Sequence, residues 1–157
     1  MIAPVRIWLE VAHHAGFRVG GWAFVRLNAR AVTGTAGGER AIDLERAILA
    51  AFVAALADLP QGASVELRTS SPLLPAIPGR IAAAEAGENP PEENLDRWAQ
   101  AATALQRVKL VVGNAERLPG GPTAFAAAWA DQARDRAKDR GAFTAAIPKP
   151  NLAKAGV

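Results

Sequence analysis

The sequence contains no cysteine and no tyrosine, and only two histidines, among its 157 residues. The lack of cysteine excludes a disulfide scaffold, a thiolate zinc site and a cysteine nucleophile. Two imidazoles are too few for an all-histidine metal site, and without tyrosine no phenol can act as an acid or a nucleophile. Carboxylates are therefore the ligands that remain for any metal chemistry in this chain.

Long apolar runs are also missing. No stretch reaches the roughly 18 residues that a membrane span needs, and the longest apolar run, residues 47–56, is rich in alanine and predicts a buried helix. The N-terminus lacks the basic segment and apolar core of a secretory signal peptide. We therefore expect no membrane association and a cytoplasmic location.

The charge balance is only mildly basic. Lys and Arg number 18 against 15 for Asp and Glu, which gives a net charge of +3 and a sequence pI near 9.9. This balance permits contact with nucleic acid without arguing strongly for it. An apolar fraction of 50% and a charged fraction of 21% are typical of a soluble globular chain and exclude disorder throughout.

The first forty residues predict three strands of an antiparallel meander. Residues 5–10 and 22–27 are rich in residues that favour strands, and a third run follows at 30–35 after an Asn-Ala turn. The Ala-Gly-Gly sequence at 36–38 is expected to end the third strand.

Helices alternate with two further strands over the rest of the chain. Apolar spacing near 3.6 residues predicts a helix over 42–59, and alternation predicts a strand over 64–69. The proline-rich stretch 75–93 is expected to be a loop with one helical turn at 81–85. The remaining elements are a helix at 95–107 capped by Asn94, a strand at 108–112, a helix at 124–140 capped by Thr123, and a loose tail at 141–157. This order predicts an α/β domain over residues 1–140, with a flexible tail at 141–157.

Five short motifs stand out along the chain: residues 5–10, Gly20-Gly21-Trp22, Leu44-Glu45, Thr69-Ser70-Ser71 and Asn94-Leu95-Asp96-Arg97-Trp98. In their order and spacing they resemble the motifs of type I ribonuclease H. Residues 5–10 resemble the family's first strand, which ends in a catalytic aspartate, and Leu44-Glu45 resembles the start of the helix that carries the second catalytic carboxylate. Thr69-Ser70-Ser71 stands in place of the family's Thr-Asp-Ser. The resemblance covers about residues 5–140. It implies a ribonuclease H-like five-stranded mixed sheet, a meander plus two further strands, with helices on both faces.

The resemblance also implies a two-metal nuclease site made of four carboxylates. In the family, two Mg²⁺ or Mn²⁺ ions activate a water and stabilise the leaving oxygen of a phosphodiester. The matching catalytic positions here are Glu10, Glu45, Ser70 and a last-helix aspartate, either Asp131 or, one turn later, Asp135. Glu10, Glu45 and Asp131 are thus the expected metal ligands, if the chain holds a metal at all.

This carboxylate set is depleted. Ser70 offers a neutral hydroxyl where the family has a carboxylate, so two divalent ions would face too little negative charge. Glu10 keeps the charge but is one methylene longer than aspartate, which matters in a site with sub-ångström tolerance. The family's loop histidine is absent from residues 112–116. We therefore expect two-metal hydrolysis to be lost, unless Glu66, Glu116 or the last-helix aspartates supply the missing ligand.

Few residues of the sequence are candidates for contact with a nucleic-acid substrate. His13, His14 and Arg18 in the first loop are candidates for contact with phosphates. Phe17 either stacks on a sugar or base or, the interpretation we favour, packs into the core. Residues 75–93 carry four glutamates and one arginine where many members have a basic protrusion, and such an acidic segment repels a phosphate backbone.

Three functions remain open at this point. We favour a catalytically degenerate ribonuclease H-like domain that binds an RNA/DNA hybrid, RNA or a protein partner. The alternative is an active Mg²⁺- or Mn²⁺-dependent ribonuclease H that cleaves the RNA strand of a hybrid with a non-standard metal site. The third is a structural or assembly part, for example a homodimer, since the sequence does not reveal the oligomeric state.

Overall fold

The computed structural model describes residues 3–157, and within this range a six-stranded mixed sheet lies between two layers of helices. The strands are β1 (Val5–His14), β2 (Val19–Asn28), β3 (Ala31–Arg40), β4 (Ala63–Thr69), β5 (Val108–Asn114) and β6 (Phe143–Ala146). The helices are α1 (Leu44–Leu56), α2 (Ile77–Glu85), α3 (Leu95–Gln106), α4 (Pro122–Arg140) and α5 (Lys149–Leu152), with a 3₁₀ turn at Leu74–Ala76. No helix of this part of the chain has the length and apolarity needed to cross a bilayer.

The strand order is β5-β4-β1-β2-β3-β6. Strands β1, β2 and β3 form an antiparallel meander, while β4 and β5 run parallel to β1. The predicted mixed sheet with helices on both faces is confirmed. The predicted number of strands is too low by one, because β6 adds to the outer edge of β3.

Strand β1 is buried on both of its faces. Ile7 and Leu9 belong to the core under α1 and α3, whereas Trp8 and Ala12 belong to the core under α4. Since side chains alternate along a strand, Glu10 shares the face of Trp8 and Ala12. A carboxylate is thus placed in the middle of a buried strand.

Helix α4 approaches the sheet closely because two glycines lie beneath it. A Cβ added to Gly21 would lie 2.2 Å from the backbone nitrogen of Arg134, and one added to Gly38 would lie 2.8 Å from Cβ of Ala137. The helix presents a buried stripe of alanines to these positions, which includes Ala130 and Ala133. This contact gives a packing reason for Gly21, the second glycine of the Gly-Gly-Trp motif.

The meander strands are longer than predicted. β1 continues through the expected loop to His14, and β3 continues past the glycines to Arg40 in full register with β2. The glycines that were expected to end β3 instead sit where α4 and Trp22 leave no room for a side chain. The turn between β2 and β3 lies at Ala29 and Arg30, with Ala29 in the left-handed region at φ 54°.

Two segments predicted to be irregular are ordered. The stretch predicted as a loop with one helical turn contains all of α2, whose proline lies in the first helical turn, where a missing N–H is tolerated. In the segment predicted to be a loose tail, β6 pairs with β3 and the side chains of Ile147, Leu152 and Ala155 are buried. Those three apolar residues cover the α4 side of the sheet.

Candidate functional site

Parallel pairing of β1 with β4 brings Glu10 and Ser70 together. Trp8 lies opposite Arg68, so that two residues further along Glu10 reaches the end of β4. There the backbone N–H of Ser70 donates to Glu10 Oε2 at 2.8 Å, and the Ser70 hydroxyl donates to Glu10 Oε1. The sequence prediction that these two positions share a site is consistent with this geometry.

The Glu10 carboxylate is buried, with 1% of the residue exposed, and both of its oxygens are engaged. Besides Ser70, Thr69 Oγ1 donates to Oε2 at 3.0 Å, and Arg117 Nε donates to Oε1 at 2.9 Å. The same Arg117 nitrogen lies 3.0 Å from Ser70 Oγ. A carboxylate offers about four acceptor positions, so these four donors satisfy it fully.

Arg117 reaches this site because β5 runs alongside β4. Asn114 pairs with Thr69, and the N–H of Ala115 donates to the Thr69 carbonyl at 2.8 Å, which extends the pairing past the end of the strand. The chain then places Arg117 beside Ser70, with about half of the arginine side chain exposed. Sequence reasoning missed Arg117 and Thr69. The available signal was an arginine directly after the loop in which the family's histidine was expected.

Glu45 lies in the first turn of α1 with a different set of partners. Its Oε1 accepts from Trp98 Nε1 at 3.0 Å and from Asn94 Nδ2 at 3.4 Å, and its Oε2 pairs with Arg80 Nη1 at 3.3 Å. The Arg80 guanidinium also stacks over the Trp98 ring at 4.4 Å. Asn94 is the N-cap residue of α3, as predicted, but its side chain forms no capping hydrogen bond and turns toward Glu45 and Asp43 instead.

A bidentate salt bridge connects the start of α3 with α1. Arg46 Nη1 and Nη2 donate to the two carboxylate oxygens of Asp96 at 2.9 and 2.8 Å. Hydrogen bonding to this guanidinium lowers the pKa of Asp96 to about 2, and the same bond raises the pKa of Arg46. Asp43 is the N-cap of α1, because its side chain accepts a hydrogen bond from the Arg46 backbone N–H at 2.8 Å.

The remaining acidic candidates do not join Glu10. Asp131 and Asp135 are exposed on α4, and both pair with Arg134, at 3.6 and 3.2 Å. Glu66 pairs with Arg6 at 3.5 Å, and Glu116 is exposed. Among residues 3–157, no group of three or more histidine or acidic residues is arranged to hold a metal ion.

The donor set does not fit the two-metal site that the resemblance implies. Both Glu10 oxygens already accept hydrogen bonds from protein donors, and the charged group beside them is a guanidinium. Magnesium needs oxygen ligands in near-octahedral geometry with compensating negative charge. The Glu10 site supplies one carboxylate, and Arg117 already balances its charge.

The predicted nucleic-acid residues lie at the turn between β1 and β2, where they differ in accessibility. His13 is half-buried and its Nε2 is 2.9 Å from the Ile42 carbonyl oxygen, whereas His14 and Arg18 are exposed. The expectation that Phe17 packs into the core is wrong, because 59% of the residue is exposed. The ammonium of Lys138, from the end of α4, lies 3.8 Å from the centroid of the Phe17 ring.

No family model and no curated protein sequence matches this chain. Several solved structures share its fold. The N-terminal ribonuclease H domain of a Mycobacterium tuberculosis protein, solved as a fusion with maltose-binding protein, is 16% identical with a TM-score of 0.62, over 87% of this chain and 96% of that chain.

Two further structures extend the comparison. LC9-RNase H1, a type 1 ribonuclease H with the type 2 active-site motif, is 14% identical with a TM-score of 0.69, over 99% of this chain and 86% of its own. LC11-RNase H1, solved in complex with an RNA/DNA hybrid, is 19% identical with a TM-score of 0.61, over 85% of this chain and 98% of its own. At these identities the similarity shows the fold alone. The chain has the fold of type I ribonuclease H.

Proposed function

We propose that this chain is a catalytically degenerate ribonuclease H-like domain that binds nucleic acid without metal-dependent cleavage. One observation carries the loss of catalysis: each of the three expected metal ligands pairs with an arginine. The pairs are Glu10 with Arg117, Glu45 with Arg80, and Asp131 with Arg134. The negative charge that two divalent ions require is therefore already balanced by the protein itself.

The Glu10 pair is the most consequential of the three, because that carboxylate is buried. A cation that bound Glu10 would have to displace Arg117 and break hydrogen bonds from Thr69 or Ser70. The hydroxyl of Ser70 would give a displaced arginine no compensating charge. These contacts support a structural role for Glu10 in place of a catalytic one.

The turn between β1 and β2 supports nucleic-acid binding. An exposed aromatic ring, Phe17, lies beside the Lys138 ammonium and the exposed His14 ring, and the next residue in the turn, Arg18, is also exposed. Aromatic rings that stack on bases and cations that contact phosphates are the two components of nucleic-acid binding surfaces. Because LC11-RNase H1 was solved in complex with an RNA/DNA hybrid, a hybrid is the ligand proposed here.

Fluorescence anisotropy with a labelled RNA/DNA hybrid, measured at several salt concentrations, tests the binding surface. The double variant Arg18→Gln, Lys138→Gln removes two cations and should reduce the slope of log affinity against log salt by about 2. The matched control Arg30→Gln, Lys154→Gln removes two exposed cations elsewhere and should leave the slope unchanged. Equal effects of the two double variants would contradict the proposed surface.

A cleavage assay tests the loss of catalysis. The wild type should leave a hybrid intact with Mg²⁺ or Mn²⁺, and calorimetric titration should show no tight Mn²⁺ binding. Cleavage that depends on metal and disappears in Glu45→Gln would refute the proposal and establish the active alternative. The variant Glu10→Asp, Ser70→Asp, Arg117→Met shortens the carboxylate at position 10, adds one at position 70 and removes the competing cation, and we expect it to gain Mn²⁺ affinity.

A further inference from the structure

An apolar cavity of about 220 Å³ opens at the surface between α1, α2 and α3. Its floor is formed by buried side chains that include Ile77 and Trp98. Its walls include Leu44 and Leu73, which are 43% and 47% exposed. Large apolar side chains exposed around a concave apolar floor are typical of an interaction site.

An acidic cavity adjoins the apolar one. The two share Glu45 and Arg80 as lining residues, and the second is also lined by Pro90, Glu92 and Glu93. The charges of Glu45 and Arg80 balance each other in an ion pair at 3.3 Å. Neither Glu92 nor Glu93 forms an ion pair with any other residue of the described chain, 3–157. The combined surface, called the docking groove below, is apolar at one end and negatively charged at the other.

We propose that the docking groove binds an extended segment of a partner protein, with one large apolar side chain in the cavity and Lys or Arg beside Glu92 and Glu93. The volume argues for a single side chain, because drug-sized ligands occupy cavities of roughly 300–1,000 Å³. The charge argues against nucleic acid, since two unpaired glutamates repel a phosphate backbone. Apolar anchors in pockets, bordered by complementary charges, are the usual source of affinity at such interfaces.

This surface is separate from the proposed nucleic-acid surface. It uses none of His14, Phe17, Arg18 or Lys138. Glu45, the residue expected from the sequence to bind metal, instead forms the boundary between the apolar and acidic ends of the docking groove. The inference therefore stands whether or not the hybrid-binding proposal holds.

Anisotropy with four fluorescein-labelled peptides tests the proposal. Each peptide carries Lys and Arg on both sides of a central Leu, Met, Phe or Trp. Control peptides carry central Asn, or Glu in place of the basic residues. At least one apolar-centred peptide should bind ten times more tightly than the Asn control, with an affinity that falls as salt rises. The proposal is overturned if no peptide of the four binds, or if the Asn control binds equally well.

Point variants test whether the peptides bind in the docking groove. Leu73→Ser should weaken the best peptide at least tenfold, while Leu118→Ser, at an exposed leucine outside the groove, should not. The double variant Glu92→Gln, Glu93→Gln should lower affinity several-fold and reduce its salt dependence. The control Glu116→Gln, Asp139→Asn should do neither. Unchanged peptide binding by Leu73→Ser overturns the assignment to this groove.

Two further measurements test whether the docking groove instead binds a second copy of this chain or nucleic acid. Sedimentation of the wild type and Leu73→Ser should show the same oligomeric state, and a dimer lost in the variant would identify a second copy as the occupant. Hybrid binding should be the same in both proteins, and its loss in Leu73→Ser would identify nucleic acid instead. Either of these losses overturns the protein-segment proposal.

Discussion

Removing Arg117 should destabilise the fold through the buried carboxylate that it contacts. In Arg117→Met, Glu10 would keep its hydrogen bonds from Thr69 and Ser70 but lose the positive charge 2.9 Å from Oε1. Deleting one partner of a fully buried ion pair costs roughly 3–5 kcal/mol. Because 53% of the Arg117 side chain is exposed, solvent screens the pair, and we expect a loss of about 2 kcal/mol.

A double-mutant cycle isolates this pairwise contribution. Glu10→Gln leaves an uncharged amide at a position that receives hydrogen bonds from Thr69 and Ser70, which should cost about 1–3 kcal/mol by itself. In that background Arg117 can extend into solvent, so its replacement by Met should cost little more. We therefore expect a coupling free energy of about 1.5 kcal/mol, above the roughly 0.2–1 kcal/mol of exposed pairs.

Urea unfolding followed by tryptophan fluorescence and circular dichroism supplies the four free energies of unfolding. Arg30→Met, which removes an exposed arginine from the turn between β2 and β3, is the control and should change stability by less than about 0.5 kcal/mol. The m-values should agree among the variants, since a changed slope would indicate a changed unfolded state. A coupling free energy below about 0.5 kcal/mol would refute the reasoning, because Arg117 would then behave as an ordinary surface cation.

Three other predictions concern the architecture around the site. Gly21→Ala should cost about 3 kcal/mol or more in urea unfolding because its Cβ would meet the α4 backbone, whereas Gly113→Ala, whose Cβ would lie 3.9 Å from the Arg68 side chain in ordinary van der Waals contact, should cost far less. The pKa of Asp96, about 2 in the fold against an ordinary 3.8, means that the ion pair stabilises the protein above about pH 4 and that this contribution is lost as the pH falls toward 2. Arg46→Met should therefore raise the Asp96 pKa measured by NMR, and an unchanged value would contradict the assignment. Leu152→Ala should cost about 2–3 kcal/mol in thermal or urea unfolding because that side chain is buried, and a neutral effect would show that the C-terminal segment does not contribute to the core.

The contacts of Glu10 and Glu45 separate what the sequence could indicate from what it could not. Glu10 and Ser70 were expected in one site from the resemblance, and parallel pairing of β1 with β4 places them in hydrogen-bond contact. The motif that begins at Asn94 was expected to begin a helix, and it does. What the motif could not reveal was that the side chains of Asn94 and Trp98 both bind Glu45.

The errors have a common physical origin. Glycine and proline normally interrupt strands and helices, and this preference predicted an early end to β3 and a loop in place of α2. The first expectation was overturned by tertiary context, because Gly38 lies beneath α4. The second was overturned locally, because the α2 proline lies in the first helical turn, where it is tolerated. Likewise, the few apolar residues of the C-terminal segment, such as Ile147, form no pattern that predicts burial. They become buried because β6 pairs with the edge of β3 and holds this segment against the sheet.

Local patterning was sufficient to predict an α/β fold and the antiparallel meander, and the family resemblance added the helices on both faces of the sheet. Composition was sufficient to exclude thiolate and all-histidine metal sites. The partners of the remaining carboxylates depended on contacts between residues far apart in the chain, such as Glu10 with Arg117 and Glu45 with Arg80. Periodicity encodes which face of an element is buried, whereas the neutralisation of a charge depends on which side chains the folded chain brings within a few ångströms.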